Sequence, residues 1–139
     1  SMRASDILAK ALEIWGTNGE AWCRSTLWLQ KGCVGYTKAE GYRLLEQDAY
    51  CLYGGIGMAA QGRPMYEPAI ETRNPQKLSL AHEHNKALSY VCMAIAKRMG
   101  LSGTNTPINI SHYNDNSASF APVKAVVCDA LKNALADEE

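Results

Sequence analysis

The sequence predicts a mainly α, single compact domain of four to five helices with a small β-hairpin or two short strands. Three observations carry that expectation. Apolar residues recur at helical spacing in four segments. Most of these segments are bounded by capping residues and by glycine stops. Short runs with β-type patterning fall outside them, around 26–36 and 108–110. A chain of 139 residues suits one domain over 2–139, with Ser1 ahead of Met2 reading as a cleavage scar. That length buries about two thirds of the unfolded surface, so neither metal nor disulfide is needed for folding.

The first helix is expected over Asp6–Trp15, capped by Ser5 and stopped by Gly16, with Ile7, Leu8, Ala11, Ile14 and Trp15 on one face. Thr26-Leu27-Trp28-Leu29-Gln30 favours extended backbone. Lys31-Gly32 could turn it and Cys33-Val34-Gly35-Tyr36 return it as a hairpin. Thr37-Lys38-Ala39-Glu40 matches a capping box, and Leu45, Ala49, Leu52, Ile56 and Ala59/Ala60 form a stripe, so a central helix is expected from Thr37 to Gly62. Within it Gly54, Gly55 and Gly57 each cost about 1 kcal/mol against alanine, which requires a backbone or a ligand packed close by. Arg63–Leu78, with three prolines, reads as a long loop. Ser79–Met99 reads as a helix with Ser79 as its cap and Lys97 and Arg98 near its C-terminus. Ile108-Asn109-Ile110 is expected as a short strand and Ser111–Ser117 as a polar turn. Ser117 or Ser119 then caps a last helix with Val123, Val126, Val127, Ala130, Leu131 and Ala134 inward and a frayed tail at Asp137–Glu139.

Two motifs carry a resemblance. Cys51-Leu52-Tyr53-Gly54-Gly55-Ile56 is similar to a Cys-Leu-x-Gly-Ala-Leu signature. Ile110-x-x-Tyr113-Asn114-Asp115 is similar to a Trp-Asn-Asp signature and leads into a helix with Phe120 and Val123 three apart. On these residues the chain resembles an uncharacterised family of small bacterial and phage proteins, a domain of unknown function. Tyr113 stands for the family's Trp and Gly55 for its Ala. The resemblance implies an architecture and no reaction. The family's association with phage genomes implies accessory roles, including interference with host defence.

Charge and composition narrow the function. Net charge is zero, which argues against nucleic acid as a partner; Arg24, Lys31, Lys38 and Arg43 read as a solvated face. No stretch is long and apolar enough for a membrane span, and no signal peptide is visible. Five cysteines without a C-x-x-C pair suit reduced thiols in a cytoplasm, with Cys51, Cys92 and Cys128 acting as small buried hydrophobes. No cofactor is expected. His82 and His84 lie two apart on a helix and point away from each other, so no metal is expected either.

Aromatic residues concentrate in the first half beside Arg24, Arg43 and Arg63. Aromatic faces with guanidinium groups suit a planar or nucleotide-like ligand, a protein partner, or a homo-oligomer interface. The expected function is therefore a non-catalytic binding or interaction module. Its expected ligand-binding residues are Trp22, Arg24, Trp28, Tyr53, Arg63 and Asn114. The alternative is a cysteine hydrolase with Cys51 as nucleophile, His112 as base and Asp115 to orient it. That alternative needs a helix starting just before Cys51, which the capping box at Thr37 argues against.

Overall fold

Helices α1 (Ala4–Trp15), α2 (Leu52–Gln61), α3 (Pro75–Arg98), α4 (Pro107–Asn116) and α5 (Phe120–Glu138) make up most of the computed structural model. Among the described residues between α1 and α2 run four short strands: β1 (Trp28–Leu29), β2 (Val34–Tyr36), β3 (Tyr42–Leu44) and β4 (Ala49–Tyr50). The structure describes residues 2–36, 41–101 and 107–139, with side chains from 110 onward in α4. The mainly α class with small β pairs is the one the sequence predicts.

The core forms where α1 packs on α2, α3 and α5, and α3 packs on α2, α4 and α5. Ile7, Leu8, Trp15, Leu52, Ile56, Val91, Ile95, Val123 and Val126 are fully buried there. Helix α1 opens at Ala4, one residue before the expected cap Ser5. Its first free N–H groups meet acids from three places: Asp6 accepts from Arg3, Glu83 from Ala4, and Glu138 from Ser5. Negative charge suits a helix N-terminus. Ser5 is thus a buried partner of Glu138, and the last turn of α5 is held rather than frayed; Asp137 also accepts from the Tyr90 hydroxyl.

The strands correct the expected hairpin. Residues 26–30 and 33–36 do not pair with each other. β1 pairs antiparallel with β4 (Trp28 opposite Tyr50), and β2 with β3 (Val34 opposite Leu44, Tyr36 opposite Tyr42). Backbone bonds Gly32 N to Leu45 O and Leu45 N to Cys33 O, with Asp48 accepting from Lys31 N, tie the incoming strand to the segment that was expected to be helical. The central helix is therefore less than half its expected length. Thr37–Glu40 lie outside the described residues, Gly41 has φ +83°, and 42–44 and 49–50 are extended. Leu45 and Ala49 share the helical stripe by spacing, yet they pack with Cys23 and Leu29 in a separate small cluster. The central helix packs on α1, α3 and α4, and α5 covers α1 and α3.

Two further boundaries move. Helix α3 starts at Pro75 because the Asn74 side chain accepts from Gln76 N and Lys77 N, so the loop runs only over 63–74. The expected strand at 108–110 and the polar turn after it are the single helix α4. Ile110, Asn114 and Ser117 recur at spacings of four and three and are all buried, which ties the end of this polar segment to the core. Ser119 precedes α5 as expected.

Candidate functional site

Helix α2 begins at Leu52, with Cys51 as its N-cap. Its free N–H groups are closed by side chains: Asn114 Oδ1 accepts from Leu52 N at 3.1 Å, and Cys51 Sγ accepts from Gly54 N at 3.4 Å. Asn114 is 1% exposed and uses its whole bonding capacity. Its Oδ1 also accepts from Trp22 Nε1 at 2.7 Å, while its Nδ2 donates to Cys23 O and Asp115 Oδ1. Asn114 is thus a cap, for α2 rather than for its own helix.

The three glycines of α2 face protein. A β-carbon at Gly54 would run into the Leu27 carbonyl, one at Gly55 into the Trp15 indole, and one at Gly57 would lie 2.8 Å from Arg63 O and 2.9 Å from Met65 N. Two of these contacts are with backbone, which is the close approach the sequence calls for, and no ligand is needed to explain it.

Beside this closed seam lies an open crevice of about 330 Å³. Tyr53 from α2, Asn85, Leu88, Ser89 and Cys92 from α3, Ile110 from α4, and Tyr66, Glu67, Pro68 and Ile70 from the 63–74 loop line it. The volume falls at the small end of the range for ligand pockets. Tyr53 and Tyr66 meet edge to face, with centroids 5.3 Å apart. Tyr53 is buried and Tyr66 is half exposed at the mouth. The other side of this pair faces a polar cleft of about 50 Å³, lined by Ser25, Thr26, Cys51, Leu52, Ser111, Asn114 and Asp115. It has room for little more than water.

The loop wall is anchored by a partly buried side chain. Gln61 accepts from Ala69 N at 3.0 Å and donates to Ala69 O at 3.2 Å, and its oxygen lies 2.9 Å from His84 Nδ1. An oxygen there requires the proton on Nδ1, leaving His84 Nε2 bare and, among the described residues, without a partner. His84 is fully buried, and burial lowers its pKa to about 4, so the ring is neutral.

The expected ligand residues scatter. Tyr53 lines both compartments and Asn114 the small one. Trp22 is a core residue with no exposed surface. Arg24 is spent internally: its guanidinium stacks 3.5 Å from the Tyr36 ring centroid and donates to Ser117 O. Trp28 is exposed on β1, and Arg63 lines a different depression beside Lys77 and Glu71. Cys128 is exposed rather than a core thiol.

The hydrolase residues do not assemble either. Cys51 does stand at a helix N-terminus, so the mid-helix position is corrected. Burial nevertheless pushes its thiol up to about 11, against the lowering effect of the Gly54 and Tyr53 amides. A thiol with that pKa is protonated at neutral pH. Asp115 lines the cleft with Cys51 and accepts from Ser25 N. His112 is exposed, sits against Asn116, and is absent from the cleft's described lining.

Sequence reasoning passed over Glu67, Asn85, Leu88, Ser89, Cys92 and Ile110. One signal was present: Asn85, Leu88, Ser89 and Cys92 share a face of α3, where polar residues border the core stripe. Among the described residues no group of His, Cys, Asp and Glu could hold a metal ion, and no helix is long and apolar enough to cross a membrane. Compared with family models, curated proteins and solved structures, the chain matches none of them.

Proposed function

We propose that the protein is a non-catalytic binding module that holds a small organic ligand in the crevice between α2, α3, α4 and the 63–74 loop. The observation that carries this reading is the crevice itself, about 330 Å³ with an aromatic pair at its edge. The cysteine chemistry is disfavoured by the protonated Cys51 thiol and by the absence of His112 from the described lining of its cleft. The test is native mass spectrometry of protein from its natural host, with Ser89→Phe to fill the crevice and Tyr66→Ala to open it. A retained species is expected on the wild type, lost from Ser89→Phe and weakened in Tyr66→Ala. A bare wild-type mass, together with no crevice shifts in an NMR fragment screen, would sink the reading.

A second reading, contact with a protein partner or another copy, has its own observation. Val34, Tyr42 and Leu44 lie on one face of the β2–β3 pair and are each more than 60% exposed. Apolar side chains grouped this way mark interaction surfaces. Light scattering across a concentration series checks it: mass rising with concentration, and returned to monomer by Leu44→Glu, is the expected result for a homo-oligomer.

A further inference from the structure

We propose that the crevice selects an amphiphilic organic cation: an amine carried on a small apolar, preferably aromatic, body. The inference rests on reading the crevice as a binding site and adds the class of ligand. Charge is the first argument. Among the described residues that line the crevice and its adjoining cleft, the charged side chains are Glu67 and Asp115, both acidic, and none is basic. Glu67 has no ion-pair partner among the described residues. A phosphate or carboxylate entering there meets like charge and no guanidinium, which turns the expectation away from a nucleotide-like ligand.

Shape and surface are the second argument. Leu88 and Ile110 are buried at the crevice and offer an apolar seat for a ring or short chain. The Tyr53–Tyr66 pair stands between that seat and Asp115, with Tyr66 half exposed. Tyrosine faces attract ammonium groups, by about 0.5–1 kcal/mol at exposed sites. A cation placed at the tyrosines is flanked by Glu67 on one side and Asp115 on the other while its body lies on the apolar seat.

The test compares four probes: phenethylamine, 2-phenylethanol, 3-phenylpropionate and adenosine monophosphate. Binding is followed by NMR shifts of the Tyr53, Ser89 and Ile110 amides. The amine is expected to bind about five-fold more tightly than the alcohol, an increment of the size of one exposed cation–π or ion-pair contact. The two anions should bind most weakly. Raising the salt should erode the amine's advantage, and Glu67→Gln should weaken the amine more than the alcohol. Equal or tighter binding of an anion, or an amine preference unaffected by Glu67→Gln, overturns the cation assignment. An alcohol that binds as well as the amine overturns it too, yet leaves the crevice as a binding site. If none of the four shifts the crevice amides, both readings fall.

Discussion

Two sets of positions on α2 make opposite use of the same helix. Gly54, Gly55 and Gly57 bring Leu27, Trp15 and the Arg63–Met65 backbone into contact with it, and Asn114 and Cys51 consume its free amides. Tyr53 instead faces a crevice whose far wall is a loop. The difference teaches where function can reside. A surface whose bonds and volume are already satisfied by the protein has nothing left to offer a ligand. The helix N-terminus at Cys51, which the hydrolase alternative requires, belongs to the satisfied positions.

The comparison can be broken first at its tightest point. Gly55→Ala in an exposed helix would gain about 1 kcal/mol from propensity. Here the added methyl meets the Trp15 ring, which is fully buried, so the sign should reverse and the loss reach about 3 kcal/mol. Urea denaturation measures it, and a neutral or stabilising result would mean that the seam is looser than described. Asn114→Ala comes next. It strips partners from Trp22 Nε1, Leu52 N and Cys23 O together, at a cost of about 2–3 kcal/mol in the same measurement. A loss under 1 kcal/mol would show that water replaces the amide readily.

The smallest effect concerns the open side, whose loop hangs on Gln61 and, through it, on His84. The folded-state pKa of His84, about 4, lies below the ordinary value of 6.5. Between those values the unfolded chain binds a proton that the folded protein refuses, so the His84 contribution is fully present above pH 6.5 and is lost as pH falls. It amounts to about 2 kcal/mol between pH 8 and pH 5. His84→Gln should flatten that limb of a stability–pH profile relative to wild type. Superimposable profiles would remove His84 from the account.

Much of the fold was legible. Helices α1, α3 and α5 carry long stripes with caps and stops, and each was placed within about a turn of its observed ends. The glycine cluster was legible as a demand for close approach, whereas Asn114, expected among the ligand residues, is a cap for α2. Two segments were not. At 42–50 the spacing of Leu45, Ala49, Leu52 and Ile56 suits a helix, but Leu45, just after β3, and Ala49, in β4, bury against Cys23 and Leu29 from an earlier stretch of the chain. At 107–116 weak helix formers obscure a helix tied to the core through Ile110, Asn114 and Ser117. The crevice was the least legible part, since its lining comes from three helices and one loop.

By itself the sequence determined the helical class, the three long helices and the need for a tight contact at the glycines, because periodicity, caps and the cost of glycine act within a few residues of chain. Only the tertiary structure decided where α2 begins, what its glycines touch, and which side chains meet at the crevice. Those outcomes depend on pairings such as Leu52 with Asn114 and Tyr53 with Tyr66, whose geometry is settled by packing and not by local preference.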